Sequence, residues 1–429
     1  MSGTPRRVPA DRYRSQAWHE LEARRLWPRV WQIACTLDCV RAPGDFYEYR
    51  VGTLSILVVR GDDGELRAFQ NVCRHRGSSL LHGTGSGLAE IRCPYHHWRY
   101  DLRGRLRAAA DDGQGSAPSA RIGLLPVQVG SWGGFVFVNA DPEAEPLAEF
   151  LEPLPAELAW VRMEEYTCRW AFTLPVACNW KTLVDAFIET YHLHAVHPQM
   201  LAIADDLHTP ITLWERHSKF EQPYGVSSPR LRGRATAQEV WQEFVRNLGH
   251  RLGIPFAAGG DPGPPPRVPA GRTMRDVLIE RIRAHLRSLG DPYPDLPDER
   301  VIDDSHYHLF PNSVLNVFAG WFGLIRARPG PRPDECLLDM WNFDWLPEGD
   351  PQRHCRPEPV ALAADGSAAL GDVMRQDIEN LPLVQQGLAQ PGLRALQLVA
   401  AESRIGRMHQ VLDRILGTSL EDELRAAGP

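Results

Sequence analysis

Four side chains between residues 70 and 100 have the types and the spacing of metal ligands. Cys73 and His75 are separated by one residue, and Cys93 and His96 follow, separated by two. Each pair fits on one short loop, so two thiolates and two imidazoles can meet at a single site. Such a ligand set holds either an iron–sulfur cluster or a tetrahedral zinc ion.

The way these ligands divide between the loops favours a Rieske [2Fe–2S] cluster over zinc. Zinc fingers usually pair Cys with Cys and His with His, the latter on a helix, whereas each loop here supplies one of each. Two cysteines on one iron and two histidines on the other is the Rieske arrangement. His97 follows His96 directly, but the two-residue gap favours His96 as the ligand. His82, between the loops, is expected to face solvent.

A second group of ligand-type residues lies in a segment whose pattern predicts a helix over 179–195. Helical spacing places Asp185, Glu189 and His192 on related faces. His197 follows just before a proline, where the helix should end and the chain can return beside His192. Two histidines and one carboxylate form the ligand set of non-haem Fe(II) oxygenases.

The third ligand of that site has to come from elsewhere in the chain, and Asp377 is the strongest candidate. It lies on a predicted helix over 371–388. Weaker candidates on or near this helix are Asp365, Asp372 and Glu379. His194 also lies among the histidines, but we expect it to be an ordinary core or surface residue.

The elements that must position these residues change character along the chain. A helical pattern covers 11–32, and short strands with glycine-rich turns follow from 45 to about 139. Beyond about 150 the pattern is mixed. Further helices are predicted at 236–252, 272–289 and 393–416, strands at 208–225, 305–328 and 335–345, and a proline–glycine loop at 259–271.

The length of 429 residues and this change of character predict an α+β protein with more than one domain. We expect an N-terminal helical segment, 1–40, that packs on the catalytic domain. An all-β cluster domain should occupy 41–150, and the catalytic domain 151–429.

The composition excludes several classes of function. The net charge is −7, and no dense basic stretch with interleaved aromatic residues indicates nucleic-acid binding. No apolar run approaches the roughly 20 residues of a membrane span. Because no apolar segment follows the N-terminal arginines, we expect a cytoplasmic protein. The eight cysteines are therefore expected to be reduced rather than paired in disulfides.

Together, these segments resemble the large (alpha) subunits of Rieske non-haem iron ring-hydroxylating oxygenases. The resemblance extends from about residue 15 to 415. The matching segments are HRG at 75–77, CPYHHW at 93–98, the NWK-to-HP stretch at 179–198, HYHLFPNSVL at 306–315 and QDIENLPLVQQGL at 376–388.

The resemblance implies the cofactors, the partners and the roles of the ligands. It implies a [2Fe–2S] cluster on Cys73, His75, Cys93 and His96, and a mononuclear Fe(II) on His192, His197 and Asp377. Glu189 matches the acid that links the cluster of one subunit to the iron of its neighbour. The catalytic domain should be a helix-grip antiparallel sheet, and the assembly a homotrimer, in some members with added β subunits. An NAD(P)H-dependent reductase, in some systems through a ferredoxin, should supply electrons, with O₂ as co-substrate.

Three residues depart from the family pattern. His97 stands where glycine is usual after the last cluster histidine, and Ala186 stands where asparagine is frequent. The bridging acid, Glu189, is glutamate rather than aspartate. Glutamate recurs at this position in members that act on quaternary amines.

These observations predict a terminal oxygenase that adds one or both atoms of O₂ to a hydrophobic, aromatic substrate. Trp321 and Phe322 are candidates for lining its pocket. The alternative is a monooxygenase or demethylase acting on an amine, a quaternary ammonium compound or a methoxy compound. A Rieske electron carrier without oxygenase activity, or a zinc-stabilised binding protein, would belong to other classes. No dinucleotide fingerprint follows a predicted strand, so NADH should not bind directly.

Overall fold

A computed structural model describes residues 3–110, 121–254, 263–290, 292–366 and 370–427. Two compact units are found among these residues. The larger contains the residues up to His19, Tyr166–Arg353 and those from Glu358 onward, and the smaller contains Glu20–Glu165 and His354–Pro357. The α+β fold class, with a Rieske domain before a catalytic domain, is confirmed.

The strands are, in chain order, β1 Arg7–Pro9, β2 Gln32–Thr36, β3 Phe46–Val51, β4 Leu54–Arg60, β5 Leu66–Gln70, β6 Thr84–Gly85, β7 Ile91–Arg92, β8 Arg99–Tyr100, β9 Leu106–Ala108, β10 Pro126–Trp132, β11 Phe135–Asn139, β12 Tyr166–Val176, β13 Ile211–Leu213, β14 Ser218–Gln222, β15 Asp304–Leu309, β16 Ser313–Phe318, β17 Trp321–Pro329, β18 Cys336–Trp345, β19 Val360–Ala361 and β20 Ala395–Gln397. The helices are α1 Asp11–Arg14, α2 Gln16–Arg25, α3 Leu147–Leu151, α4 Leu154–Glu157, α5 Trp180–Phe187, α6 Leu193–Val196, α7 Ala237–Leu248, α8 Met274–Ser288, α9 Asp298–Ile302, α10 Asp372–Leu388, α11 Ser403–Leu416 and α12 Leu420–Ala427.

The smaller unit is built on an antiparallel sheet in the order β2-β11-β10-β5-β4-β3-β6, beside a small sheet β7-β8-β9. Its core includes side chains from both sheets, among them Leu57, Phe69, Ile91 and Tyr100. The two candidate cluster loops lie outside the strands. The first follows β5, and the second connects β7 to β8, so the small sheet fixes both ends of the second loop.

The larger unit is built on a sheet in the order β13-β14-β15-β16-β17-β18-β12-β19, antiparallel except for the last pair. Helix α5 packs on β16, β17 and β18, and α10 packs on α5. The side chain of Asn179 caps α5 by accepting a hydrogen bond from the Lys181 amide at 3.0 Å. A two-stranded sheet, β1-β20, joins the start of the chain to the segment before α11.

A buried arginine holds helix α11 against the large sheet that contains β14 and β15. Arg404 donates to the Ser218 hydroxyl on β14 at 3.0 Å, and to the backbone carbonyl of His306 on β15 at 3.5 Å. Its guanidinium also lies over the Phe220 ring, 4.7 Å from the centroid. Because a buried guanidinium is costly without partners, these contacts fix the position of α11.

The structure differs from the sequence-based prediction in several elements. The predicted helix over 179–195 is two helices, α5 and α6, separated by a turn. The segment 305–328, predicted as strand, is the meander β15-β16-β17, because Pro311 and Gly320 interrupt the apolar run at its turns. The helix predicted over 393–416 begins only at Ser403, since Ala395–Gln397 pairs with β1.

The predicted N-terminal segment, 1–40, is divided between the two units. Its first 19 residues belong to the larger unit, but the rest belong to the smaller one. The physical reason is strand pairing, because β2 forms an antiparallel ladder with β11. Of the predicted loop over 259–271, residues 259–262 lie outside the described residues, and 263–271 form neither helix nor strand. The helices of the described residues are too short or too polar to span a bilayer.

Candidate metal centres

The two candidate cluster loops have the same backbone construction. The Cys73 amide donates to the Ser78 carbonyl at 2.8 Å, and the Cys73 carbonyl accepts from the Gly77 amide at 3.0 Å. In the second loop, the Cys93 amide donates to the Trp98 carbonyl at 2.8 Å, and the Cys93 carbonyl accepts from the His97 amide at 3.1 Å. The backbone at each cysteine is therefore held by its own loop, and the Tyr100 hydroxyl also lies 3.3 Å from the Cys73 sulfur.

Both loops turn through the left-handed backbone region at the same position. Gly77 has a φ of 77°, and His97, at the equivalent place, has a φ of 55°. A side chain in this region costs roughly 1–2 kcal/mol, so the departure from glycine leaves the loop's shape intact but strained. The His97 ring lies beside Arg92, with Nδ1 at 3.0 Å from Nη2.

The thiol ligands and the imidazole ligands of the candidate cluster differ in burial. The thiols of Cys73 and Cys93 are buried, whereas His75 is exposed and His96 is partly exposed. The two imidazole rings lie 4.6 Å apart, nearly perpendicular. This arrangement fits a [2Fe–2S] cluster with one iron buried on sulfur ligands and the other facing outward on imidazoles.

The titration of these groups suits metal binding. Burial raises the pKa of Cys93, but the amides of His96 and Tyr95 and the side chains of Cys73 and Ser78 outweigh it, so the pKa lies below its ordinary value. Partial burial and nearby positive charge lower the pKa of His96. A thiolate and a neutral imidazole are the forms that bind iron.

The second candidate centre is assembled from two distant parts of the chain. Helix α5 ends at Phe187, and His192 and His197 lie directly before and directly after the short helix α6. Asp377 lies on α10, 180 residues after His197. The residues directly before His192 therefore form a turn. The prediction that Glu189 and His192 lie on one helix is wrong.

The side chains of His192, His197 and Asp377 converge on one point. Each offers a ligand atom, and these atoms lie within 4.8 Å of one another. Asp377 Oδ1 is 2.9 Å from His197 Nε2 and 3.7 Å from His192 Nε2. Ligands about 2.1 Å from a common ion lie about 3–4 Å apart, so the spacing fits a first-row metal.

Each histidine is oriented by an acceptor on its other ring nitrogen. The Nδ1 of His192 lies 2.7 Å from Glu189 Oε1, and the Nδ1 of His197 lies 2.7 Å from Gln376 Oε1. Both Nδ1 atoms therefore carry the proton, which leaves both Nε2 lone pairs for a metal. Sequence reasoning missed Gln376, although its place directly before Asp377 on α10 was a signal.

The turn before His192 is closed by the Glu189 carboxylate. Its Oε2 accepts hydrogen bonds from the backbone amides of Tyr191 and of His192, the latter at 3.1 Å. Such side-chain bonds to the backbone compete with helix formation, which explains why α5 does not continue.

Negative charge accumulates around His192. Burial lowers the pKa of this imidazole, but Glu189, Asp377 and Glu402 outweigh burial and leave the pKa above its ordinary value. The same field stabilises any cation at this point, whether a proton or a metal ion.

The weaker candidates do not join this group. Asp372 and Glu379 pair with Arg375 at the surface, and Asp365 is exposed. His194 directs Nδ1 to the Tyr191 carbonyl at 2.7 Å.

The two aromatic residues expected to line a pocket are packed against other rings. Phe322 is fully buried and stacks on Phe343, with centroids 4.4 Å apart. Trp321 packs against His250 at 5.1 Å. Phe322 is therefore a core residue.

Two family descriptions match the chain in sequence order. Residues 30–120 match "Rieske [2Fe-2S] domain", and residues 159–418 match "Ring hydroxylating alpha subunit (catalytic domain)". The second match covers more than half of the chain. The chain belongs to the ring-hydroxylating alpha subunit family. Its cofactors are accordingly a Rieske [2Fe–2S] cluster and a non-haem iron.

Relatives in this family have a more specific activity in their names. The chain is 32% identical over 194 residues to a glycine betaine monooxygenase oxygenase subunit of Pseudomonas aeruginosa, covering 45% of each chain. It is 32% identical over 225 residues to a carnitine monooxygenase oxygenase subunit of Escherichia coli, covering 52% of this chain and 59% of the relative. The aligned region thus spans about half the length of the relatives it matches.

Solved structures of Rieske oxygenases share the fold. A quaternary ammonium Rieske monooxygenase in complex with L-carnitine superposes with a TM-score of 0.67 at 18% identity, covering 96% of both chains. Naphthalene 1,2-dioxygenase from Rhodococcus sp. superposes with a TM-score of 0.62 at 17% identity, covering 96% of this chain and 94% of that one.

Proposed function

We propose that the chain is the oxygenase component of a Rieske monooxygenase system that acts on a quaternary ammonium compound. Its cluster ligands would be Cys73, His75, Cys93 and His96, and its iron ligands His192, His197 and Asp377. The observation that carries the proposal is the convergence of these last three side chains in a chain that also has a Rieske domain. When bound, the cluster supplies electrons and the iron activates O₂.

The residues of the chain would act by orientation and by charge. Glu189 and Gln376 hold the two imidazoles in the tautomer that binds metal. Glu189 would also connect the cluster of one subunit to the iron of the next within a trimer. A separate NAD(P)H-dependent reductase, directly or through a ferredoxin, would deliver the electrons.

Two observations favour a cationic substrate over the aromatic one expected first. The relatives aligned above are named for glycine betaine and carnitine, both quaternary ammonium compounds. An Fe(II) ligated by one carboxylate keeps a net positive charge, which would repel a cationic substrate. Binding such a substrate therefore requires further acids close by. Glu189 and Glu402, which both raise the pKa of His192, provide that negative field.

The substrate proposal is tested with the full chain and a surrogate reductase. Hydroxylation of a carbon attached to a quaternary nitrogen gives an unstable product that breaks its C–N bond, releasing a carbonyl compound and the tertiary amine. We expect this product pair from glycine betaine, carnitine or choline, and no oxygenation of naphthalene or indole. Oxygenation of the aromatic compounds alone would restore the dioxygenase hypothesis.

A further inference from the structure

The chain carries an acid near Glu189, the carboxylate that orients His192, and the proposed ligand set does not use this acid. Asp185 lies on α5, four residues before Glu189. It is partly exposed as a residue, but its carboxylate atom Oδ1 is buried and receives no hydrogen bond from any described residue. The other oxygen, Oδ2, accepts a hydrogen bond from the Tyr13 hydroxyl at 2.5 Å.

The Tyr13 hydroxyl belongs to a longer hydrogen-bonded chain. It lies 2.8 Å from Nε2 of His409 on α11, and Nδ1 of His409 lies 3.4 Å from Nη1 of Arg12. The Arg12 guanidinium also binds Asp413 at 2.5 Å, which fixes this end. Side chains from α1, α5 and α11 are thereby linked in one series.

One arrangement of protons satisfies every contact in this series. Arg12 can only donate, so Nδ1 of His409 accepts and Nε2 carries the proton. Nε2 then donates to the Tyr13 oxygen, and the Tyr13 hydroxyl donates to Oδ2 of Asp185. A proton on Asp185 must therefore be carried by Oδ1, the oxygen without a partner.

The burial of Asp185 favours its protonated form. Burial is the largest cause that raises the pKa of Asp185, and the acids Glu402 and Glu189 add to the rise. The Tyr13 hydroxyl and Lys181 oppose it, and together these effects leave the pKa at about 8. At neutral pH the carboxyl group thus holds a proton that no described residue accepts.

We propose that Asp185 stores a proton for the reaction at the triad and that Tyr13 is the positioning residue that leaves this proton on Oδ1. The inference rests on the proposed function, whose balance is RH + O₂ + 2e⁻ + 2H⁺ → ROH + H₂O. The reductase supplies the electrons. The O–H bond at Oδ1 breaks and supplies one of the two protons to the oxygen that becomes water. Solvent supplies the other proton and also reprotonates the carboxylate before the next turnover.

A purely structural role would be met equally well by asparagine. Its side-chain oxygen can accept the Tyr13 hydroxyl as Oδ2 does, without the repulsion between Asp185 and the acids Glu189 and Glu402. The presence of a titrating group at this position is what the storage role requires and a packing role does not.

Infrared spectroscopy of the full chain tests the stored proton without any oxygenase assay. The stretch of a protonated carboxyl group should titrate with a midpoint of about 8, and Asp185→Asn should abolish it. Tyr13→Phe should move the midpoint up, because the hydroxyl favours the charged form. Glu402→Gln should move it down. Tyr293→Phe, which removes a buried hydroxyl bonded to Tyr166 at 2.5 Å, should leave it unchanged.

A midpoint near the ordinary value of about 4, or shifts of the same sign in the Tyr13 and Glu402 variants, would overturn the proposal. Measurement of product formation is the second test of the proposal. Asp185→Asn should lower the rate of product formation by about 100-fold at unchanged iron content. The wild-type rate should fall above pH 8, with the same midpoint as the infrared titration. An Asp185→Asn variant with the wild-type rate would contradict the storage role. A chain that titrates as expected but oxygenates nothing would instead count against the proposed function.

Discussion

The two candidate iron centres are built by opposite means. The cluster loops hold Cys73 and Cys93 through backbone hydrogen bonds within a few residues of each cysteine. At the triad, by contrast, ligands 180 residues apart are oriented by the side chains of Glu189 and Gln376. A site fixed by its backbone should be sensitive to residues that alter loop conformation. A site fixed by side-chain partners should be sensitive to the loss of single polar atoms.

The largest effect should follow from removing both histidines of the triad. His192→Ala combined with His197→Ala should lower product formation by more than about 100-fold, since loss of even a supporting partner can cost that much. The Rieske absorption should persist, because the cluster loops form without the triad.

The matched control for this variant is His194→Ala. His194 lies between the two histidines in the sequence, but its Nδ1 lies beside the Tyr191 carbonyl and its ring lies 5.6 Å from the Tyr191 ring. Wild-type activity in the control and none in the double variant would locate the reaction at the triad. Equal losses in both would indicate general damage to the turn.

Asp185 should reduce the stability of the folded chain as the pH rises. Its folded pKa of about 8 lies above the unfolded value of about 4. Between these values the folded state binds more protons, so stability should fall by up to about 1.4 kcal/mol per pH unit and level off above pH 8. Asp185→Asn should therefore gain stability over the wild type between pH 5 and 8, measured by urea unfolding. A difference independent of pH would contradict the raised pKa.

A smaller effect is expected at the partner of His197. Gln376→Leu keeps the approximate size of the side chain but removes the acceptor for Nδ1 of His197. Iron affinity should fall by about 10–100-fold, as measured by competition with a chelator. Glu379→Gln, on the exposed face of the same helix, should bind iron normally. Unchanged affinity in Gln376→Leu would show that the triad does not depend on its side-chain partners.

The smallest effects should come from the cluster loops, and with opposite signs. His97→Gly should stabilise the protein by about 0.5–1 kcal/mol because it relieves the left-handed backbone. Gly77→Ala should destabilise the protein by about 1 kcal/mol, because alanine is strained in the left-handed backbone region. An added Cβ there would meet no atom within 4 Å, so no steric clash adds to this cost. Urea unfolding measures both. Shifts of the same sign would contradict the equivalence of the two loops.

The parts of the molecule that sequence could predict are those where spacing alone determines geometry. The cluster loops are closed by backbone bonds within six residues, so the Cys-x-His and Cys-x-x-His spacings were enough to locate them. Helices with an uninterrupted apolar period, such as α8 and α10, lie within two residues of the predicted bounds. The choice of Asp377 over Asp365 depended on a resemblance, because nothing local distinguishes the two acids.

The parts that sequence could not predict depend on tertiary contacts. The break after α5 arises because the Glu189 carboxylate accepts backbone amides in place of helical carbonyls. The assignment of β2 to the smaller unit depends on its ladder with β11, far along the chain. The link between Tyr13 and Asp185 joins residues 172 positions apart.

The central claim is that one chain holds two separate iron centres. Iron and acid-labile sulfide analysis, with low-temperature EPR of the anaerobically reconstituted and reduced full chain, tests it most directly. We predict two cluster irons with a Rieske signal and a further iron that only the His192→Ala, His197→Ala variant loses. Fully metallated protein without a Rieske signal, or a double variant that keeps the further iron, would contradict the claim.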